Sequence, residues 1–240
     1  GLRAVLLVAT LSLAALTLAG CKSETTSLSG EAIVSDIPWP ASEEAHYRLL
    51  DGDDEKGSGV LTIDSQGGRV TFRQAFESED FKDTVEAVVD GVTMEPESVQ
   101  RVIGGPEVER RWEVEYEDAA VTVVQRSEDD ERQDEVSVPT HSYDSWTDVF
   151  LWRTIDFREG YEASYSDVLS ATLARPQVIS QTVRVKGKET VEVPAGTFEA
   201  WRLEIRSDDG SQEAWYADTD TRPLVRYDNG SLVFELLSLD

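Results

Sequence analysis

The chain alternates between apolar and polar side chains through most of its length from His46 onward. In residues 70–76 the large apolar side chains share one face of an extended strand. In residues 112–117 and 201–206 every position opposite the apolar set is charged. A period of two places successive side chains on opposite sides of a strand. The pattern therefore predicts strands with one face against a core and the other in water.

Glycine-containing pairs separate these runs and predict turns between neighbouring strands. Short connections make sequential strands antiparallel, so the expected topology is a meander. The acid-rich residues 127–135 lack an apolar period and are predicted to form a solvated loop. Residues 232–237 are apolar on both faces and should not form a bare sheet edge. The predicted turns lie at Gly67-Gly68, Asp90-Gly91, Gly104-Gly105, Lys186-Gly187, Asp209-Gly210 and Asn229-Gly230. The predicted strands lie near residues 46–50, 59–64, 69–77, 81–89, 92–101, 107–117, 120–126, 162–173, 177–187, 189–194, 198–206, 211–217, 223–227 and 231–238.

Residues 143–155 break the alternation and predict a helix. Asp144 or Ser145 can cap its first N–H groups, and Asp148 follows Ser145 at the spacing of a capping box. Large apolar side chains cover most of its circumference, which predicts burial on more than one side. These side chains are Trp146, Val149, Phe150 and Trp152. The expected fold class is mainly β, an antiparallel meander curled into an incomplete barrel around one buried helix (144–155).

Residues 1–20 are predicted to be a signal peptide. One charged residue, Arg3, precedes an unbroken run of apolar and small residues that ends at Cys21, the single cysteine of the sequence. A membrane-spanning helix is a competing interpretation, but it needs about 20 apolar residues, and the small residues Ala19 and Gly20 favour cleavage. A fully secreted protein with an incidental cysteine is a further alternative. With one cysteine, the chain can form no internal disulfide.

The run Leu18-Ala19-Gly20-Cys21 resembles the bacterial lipobox. The resemblance implies cleavage before Cys21, a diacylglycerol on its thiol and a stable membrane anchor. It places the protein outside the cytoplasm, on the outer leaflet of the cell membrane or on the outer membrane of a two-membrane organism. Cys21 is therefore the expected lipid-attachment residue.

Composition divides the remaining chain into a tether and a domain. Residues 21–45 are rich in Ser, Thr, Glu, Gly and Pro and are predicted to be a lipidated flexible tether. Trp39 stands between two prolines and could instead dock on the domain. Residues 46–240 are long enough to bury one core and are predicted to form a single antiparallel β domain.

The charge of the chain is strongly negative, with 48 acidic residues against 22 basic residues and a formal net charge of −26. Such a surface repels nucleic acid and anionic lipid headgroups, so no nucleic-acid partner is expected. Two explanations of the acidity stay open: a self-repelling soluble surface, or adaptation to a saline habitat in which salt screens the repulsion.

Candidate catalytic and metal-binding residues do not form recognisable motifs. His46 and His141 lie outside any nucleophile-elbow, zinc-ligand or phosphate-loop pattern, so no enzymatic activity is expected. Residues 51–57 carry oxygen ligands at alternate positions, as a calcium loop does. However, Lys56 stands where such a loop needs glycine, and Thr62 stands where it needs glutamate. We therefore expect no metal site and no cofactor.

A combination of segments in the C-terminal half is distinctive: residues 144–153, 157–160, 187–200, 213–216 and 223–226. Together they resemble a family of exported bacterial proteins of unknown function. That family is similar in fold to the lipoprotein-localisation carriers and receptors, in which an incomplete antiparallel β-barrel curls around a helical plug. The resemblance covers roughly residues 46–239 and is best over residues 189–200.

This resemblance and the aromatic helix suggest a cavity for a hydrophobic or lipid-like ligand between helix and sheet. Its candidate wall residues are Phe72, Trp146, Phe150 and Trp152, assigned from periodicity. In one alternative, these rings fill a solid core. In that case the protein would be a structural or interaction lipoprotein acting through its acidic surface on a protein partner that the sequence does not identify.

Overall fold

A computed structural model describes residues 32–79, 81–105, 109–208 and 210–240. The strands in these ranges form one sheet of fifteen strands, which confirms the prediction of a mainly β chain. The strands of the N-terminal half are β1 Ser42–Asp51, β2 Asp54–Gln66, β3 Arg69–Ser78, β4 Phe81–Asp90, β5 Pro96–Gly104, β6 Glu109–Glu117, β7 Ala120–Arg126 and β8 Glu131–Ser137. Those of the C-terminal half are β9 Ser142–Asp144, β10 Glu162–Leu169, β11 Gln177–Val193, β12 Gly196–Ser207, β13 Gly210–Ala217, β14 Leu224–Asp228 and β15 Val233–Leu239.

The two halves of the chain form two meanders that join at the centre of the sheet. The strand order runs from β8 back to β1, then from β15 back to β9. The first strand pairs with the last, and β15 therefore lies between β1 and β14. This position confirms that the apolar residues 232–237 do not form a bare edge. Within the described ranges, neighbouring strands are antiparallel except β9 and β10, which are parallel.

The chain connectivity requires this sheet to curl. Its edge strands β8 and β9 lie at opposite ends of the strand order, yet residues 138–141 are all that separates them in sequence. Such a connection reaches roughly 18 Å. If the sheet were flat, strands spaced about 4.8 Å apart would put its edges roughly 67 Å apart. The edges are therefore brought close together, although β8 and β9 do not pair and the sheet is not closed into a barrel.

The predicted helix 144–155 is a succession of short turns, not one continuous helix. A 3-10 turn at Ser145–Thr147 leads into the four-residue helix α1, Asp148–Leu151, and a second 3-10 turn follows at Trp152–Thr154. The Asp144 carboxylate caps the first turn by accepting the Trp146 N–H at 2.9 Å. Hydroxyls of Thr147 and Thr154 donate to carbonyls three residues earlier, an alternative to regular helical bonding. Residues 145–154 are called the plug segment below.

The plug segment is buried inside the curl, as predicted. Phe150 stacks on Phe72 of β3, with ring centroids 4.1 Å apart and an interplanar angle of 12°. Trp152 is 1% exposed, and its indole N–H donates to the Tyr165 hydroxyl at 2.7 Å. The main hydrophobic core therefore lies between the plug segment and the concave face of the sheet.

Residues 32–41 pack on the domain, which corrects the predicted tether boundary at residue 45. Strand β1 already begins at Ser42. Trp39 is buried with its ring edge against Phe72, so the docked alternative is the one observed. Ile33 is buried as well, and the Ser35 N–H donates to the Thr154 carbonyl at 2.9 Å. The signal peptide 1–20, Cys21 and the first part of the tether lie outside the described residues.

Two local predictions were wrong. The loop expected at residues 127–135 contains strand β8, which pairs with β7 along its whole length. Polar residues lie on both faces of this edge strand, so the sequence there shows no apolar alternation that would predict a strand. The turn expected at Lys186-Gly187 is a bulge inside the continuous strand β11. Gly187 has a φ of 134°, which other residues rarely adopt, so glycine permits the chain to bend there without reversing.

Candidate functional site: a cavity beside the plug segment

A cavity of about 690 Å³ lies between the two halves of the sheet and the plug segment. This volume is typical of small-molecule sites. Exposed Phe81 and Lys56 lie on its wall, so the cavity reaches solvent near the start of β4 and of β2. Among the described residues, ten of the 22 on its lining are aromatic or aliphatic, and the other twelve are polar or charged. The apolar lining consists of Leu49, Phe76, Phe81, Trp146, Val149, Leu169, Ile179, Tyr227, Leu232 and Phe234.

The structure separates the four predicted wall residues. Trp146 lines the cavity. Phe72, Phe150 and Trp152 are buried in the main core on the other side of the plug segment. Helical periodicity identified a segment that is apolar on several sides, but it could not tell which side would meet the core and which the cavity.

Trp146 is held in place by a layer of polar contacts behind its ring. The Arg101 guanidinium lies 4.3 Å from the ring centroid, within the range of a cation–π contact. Arg101 in turn forms a bidentate ion pair with Asp83, at 2.9 and 2.6 Å. The Gln74 amide donates to the Trp146 carbonyl. These contacts fix the ring at the cavity wall.

The floor of the cavity is polar and was not predicted from the sequence. Asp148 of α1 and Asp167 of β10 both line the cavity, and the Gln181 amide joins them. This amide donates to Asp148 Oδ2 at 2.9 Å and to Asp167 Oδ2 at 2.5 Å. The Tyr165 hydroxyl donates to Asp148 Oδ1 at 2.9 Å. Because Trp152 donates to that hydroxyl, it supports the floor from behind without touching the cavity.

A third buried carboxylate, Asp144, lies next to this floor. Its Oδ2 accepts hydrogen bonds from the Tyr116 hydroxyl at 2.6 Å and from the Ser170 hydroxyl at 2.5 Å. Asp144 and Asp167 are both 0% exposed. The side-chain hydrogen-bond donors to these three carboxylates are all neutral. They come from strands β6, β10 and β11 and from the bend after β10.

Burial raises the pKa of all three carboxyl groups. The pKa of Asp167 rises to about 8, mainly through burial and also through the nearby Asp144 charge. The pKa of Asp148 rises well above its usual value through burial and repulsion from Asp167. The pKa of Asp144 is raised by burial, against the hydrogen bonds from Ser170 and Tyr116. Burial therefore favours the protonated form of all three groups, and the pKa of Asp167 lies above neutral pH.

One oxygen of this floor lacks a partner. Among the described residues, Asp167 Oδ1 accepts no hydrogen bond of good geometry, although the Val168 backbone N–H lies near the carboxyl group. A buried polar atom left unpaired costs free energy, commonly about 1–3 kcal/mol. Such atoms in an otherwise well-bonded structure require an explanation. Because the Asp167 side chain is 0% exposed, Oδ1 lies behind the cavity surface and is not open to the cavity.

The histidines and the calcium-like segment lie elsewhere. The rings of His141 and His46 form exposed hydrogen-bonded contacts with Glu95 and Glu44, at 2.6 and 2.9 Å, and neither lines the cavity. Residues 51–57 form the tight hairpin between β1 and β2. Among the described residues, no group of three or more His, Cys, Asp or Glu side chains could hold a metal ion.

The polar floor left little signal in the sequence. Asp144, Asp148 and Asp167 are three of 48 acidic residues, so their type alone did not distinguish them. A weak signal was present at residues 165–168, where Ser166 and Asp167 lie between apolar neighbours in a strand whose two faces are both buried. Recognising that burial required the tertiary structure.

A family model described as "Protein of unknown function (DUF3108)" matches residues 44–236. Among solved structures, a β-barrel-like protein of the domain of unknown function DUF1849 from Brucella abortus is similar at 13% identity and a TM-score of 0.56. The match covers 86% of this chain and 98% of that one.

A second solved structure, an exported protein with a YmcC-like fold from Bacteroides fragilis, also has 13% identity. Here 86% of this chain and 99% of the other are covered, at a TM-score of 0.29. No curated protein matches the chain. In the described ranges, no helix has the length and apolar character needed to cross a membrane.

Proposed function

The chain belongs to the DUF3108 family of proteins of unknown function, and we propose that it is an extracytoplasmic, membrane-anchored lipoprotein that binds a hydrophobic or lipid-like molecule in the cavity beside the plug segment. The observation that carries this proposal is the cavity of about 690 Å³, whose lining includes ten aromatic and aliphatic side chains. Apolar walls of this size bind apolar groups because burial removes them from water.

The plug segment makes the cavity a defined site. It is clamped to the sheet by Arg153 and stacked through Phe150, so one wall is held rigidly in place. The opposite wall comes from strands of the N-terminal half, including Phe76 and Phe81. The cavity is therefore already formed before a ligand binds, which lowers the entropic cost of binding.

The anchoring part of the proposal rests on residues 1–21. An apolar run that ends at the lipobox-like Leu18-Ala19-Gly20-Cys21 supports export and acylation at Cys21. We include no catalytic step in the proposal, since both histidines form exposed hydrogen-bonded contacts away from the cavity floor.

Ligand binding is tested with residues 22–240, which keep every residue that the structure describes and omit the acylated cysteine. The purified protein is extracted with organic solvent, and bound lipid is identified by mass spectrometry. The neutral fluorescent probe N-phenyl-1-naphthylamine is then titrated. We expect co-purifying amphiphile and saturable probe binding with one site per chain.

Cavity-filling variants connect that binding to the cavity. Val149→Trp and Ile179→Trp introduce large rings at two separate parts of the wall and should each weaken probe binding at least tenfold. Val92→Trp adds the same ring at a position that is 74% exposed and should leave binding unchanged. Thermal melting verifies that each variant is folded. Unchanged binding in both folded cavity variants, or no saturable binding by the parent, would favour the alternative of an interaction lipoprotein acting through its acidic surface.

Anchoring is tested separately in the full chain. Cys21→Ser should release the protein from membranes or block its processing, whereas Ser23→Ala should do neither. Cell fractionation and the N-terminal mass give the two readouts. Unchanged membrane attachment together with an unchanged N-terminal mass in Cys21→Ser would contradict the lipoprotein assignment.

A further inference from the structure

Four side-chain amides lie on the described cavity lining, and they differ in how their N–H groups are used. Gln74 and Gln181 donate theirs to oxygen atoms of the protein. The oxygens of Gln212 and Asn229 accept hydrogen bonds, but their NH₂ groups donate none within the described part of the chain. The lining therefore contains two amides with unused hydrogen-bond donors.

Hydrogen bonds within the protein fix the orientation of both amides. Asn229 Oδ1 accepts the backbone N–H groups of Ser231 and Leu232, at 2.9 and 2.8 Å. Gln212 Oε1 accepts the Tyr227 hydroxyl. Both amides belong to half-buried residues, and neither amide nitrogen is an enclosed atom without a partner. The two NH₂ groups are therefore accessible.

The two amides are neighbours across strands β13 and β14. Glu213 pairs with Asp228, so the preceding residue Gln212 lies opposite Asn229, the residue that follows Asp228. Residues directly opposite each other in an antiparallel pair have Cβ atoms about 4.5–5.5 Å apart. A carbonyl oxygen has two lone pairs and can accept one N–H from each of two such amides.

A row of aromatic rings leads from these amides along the cavity. The Tyr227 and Phe234 ring centroids lie 5.4 Å apart, and those of Phe234 and Phe76 lie 5.6 Å apart. All three side chains line the cavity. Because the Tyr227 hydroxyl bonds with Gln212, the row begins beside the amides. The lining thus places unused donors next to a surface that can bury hydrocarbon.

We propose that the cavity selects neutral amphiphiles whose headgroup carries a carbonyl acceptor, as in an acyl ester. Gln212 Nε2 and Asn229 Nδ2 donate to the carbonyl oxygen, and the hydrocarbon chain lies along the aromatic row. This inference rests on the proposed function of the cavity and specifies its ligand class.

Other headgroups gain less from this site. An ammonium group has donors and no acceptor, so it leaves both amides without a partner. A carboxylate can accept the same hydrogen bonds, but it adds negative charge beside Glu77 of the lining, in a chain of net charge −26. The proposed ester is therefore bound more tightly than the acid or the amine of similar chain length.

The test uses residues 22–240 at pH 7.5 and measures competition with N-phenyl-1-naphthylamine. The competitors are methyl dodecanoate, dodecylamine and dodecanoic acid. We expect the ester to bind about tenfold more tightly than the other two, because it alone combines an acceptor with zero charge.

Two variants replace one NH₂ group with an oxygen atom of similar size. Asn229→Asp keeps the acceptor for the two backbone N–H groups, and Gln212→Glu keeps the acceptor for the Tyr227 hydroxyl. In each variant the ester should bind about fivefold more weakly, because a hydrogen bond is lost and two oxygen atoms face each other. Dodecylamine should bind more tightly, because the new carboxylate attracts its ammonium group. The probe has no carbonyl group, and its affinity should stay within about twofold.

Gln133→Glu is the matched control, since it makes the same change at an exposed side chain of β8 outside the cavity lining. It should keep the preference of the parent for the ester. Thermal melting verifies folding, and either folded cavity variant suffices for the comparison. Equal affinity for the three competitors, or ester binding that is unchanged in the folded cavity variants, would overturn the inference while leaving the proposed function intact. Absence of saturable binding by the probe and all three competitors would instead count against the proposed function itself.

Discussion

Arg153 of the plug segment and Glu43 of β1 form a buried bidentate ion pair. Arg153 Nη1 and Nη2 donate to Glu43 Oε1 and Oε2, each at 2.7 Å, and both side chains are at most 7% exposed. Arg153 Nε also donates to the Thr221 carbonyl at 2.6 Å. Since β1 lies at the centre of the sheet, this pair connects the plug segment to the point where the two meanders join.

Removal of Glu43 should strongly destabilise the domain. In Glu43→Ala the Arg153 charge stays buried without its counter-ion, and breaking a buried pair in this way commonly costs about 3–5 kcal/mol. Urea unfolding measures the change in the free energy of unfolding. The control is Asp156→Ala, which breaks the exposed pair between Asp156 and Arg158 and should change that free energy by less than about 1 kcal/mol. Equal effects of the two variants would show that the buried pair does not clamp the plug segment.

The stacked pair of Phe72 and Phe150 should couple the sheet to the plug segment. Phe72→Ala is expected to lower the free energy of unfolding by about 3–5 kcal/mol, because it leaves a cavity in the main core. In a double-mutant cycle with Phe150→Ala, the direct ring contact should give a coupling of about 0.5–1.5 kcal/mol. Phe81→Ala is the control, since Phe81 is 42% exposed. Additive effects of the two core variants would contradict a specific ring contact.

Trp39 should contribute to stability although it lies in the predicted tether. Its side chain is 7% exposed and contacts Phe72, so Trp39→Ala is expected to cost about 3–5 kcal/mol. Leu173→Ala removes an apolar side chain that is 61% exposed and should cost less than about 0.5 kcal/mol. Chemical unfolding of both variants provides the measurement. A Trp39→Ala protein as stable as the parent would mean that residues 32–41 do not support the domain.

The carboxyl groups at the cavity floor should make stability fall as pH rises. The pKa of Asp167 is raised to about 8 in the folded protein, so between its unfolded pKa and about pH 8 the folded state binds more protons than the unfolded state. The stability from this group is therefore present below about pH 4 and is lost as pH rises through about 8. Asp167→Asn does not titrate, and its stability relative to the parent should increase from pH 5 to pH 9.

The measurement for this prediction is the free energy of unfolding of both proteins across that pH range. Asp54→Asn removes the same charge at a side chain that is 81% exposed and serves as the control. If the difference between Asp167→Asn and the parent stayed constant with pH, the burial of a protonated Asp167 would be disproved. Below about pH 4, Asp90, Glu204 and Asp218 act in the opposite direction, because hydrogen bonds lower their pKa values in the folded state.

Salt should raise the melting temperature. A formal charge of −26 on 240 residues produces repulsion within the folded chain, and dissolved ions screen it. We expect a higher melting temperature in about 1 M NaCl, where the screening length is roughly 3 Å, than in dilute buffer. Sucrose at matched osmolality provides a control for effects that do not depend on ions. A melting temperature that is flat or falls with NaCl would show that self-repulsion is unimportant.

The sequence was enough to predict most of the strands, because a period of two is set by backbone geometry and needs no tertiary information. It also determined that residues 143–155 are buried, since an apolar segment of that kind cannot remain in water. It did not reveal β8, whose side chains are polar on both faces and whose strand form comes from hydrogen bonds to β7.

Pairing of the first strand with the last, the extent of the curl and the side of the plug segment that faces the cavity could be learned only from the tertiary structure. It also decided the polar floor. Asp167 can be buried because Gln181 from the neighbouring strand donates to it, and Asp144 because Tyr116 from the opposite half of the sheet does. Periodicity shows which side chains share a face, but the cost of burying a polar group depends on the partners that distant strands bring to it.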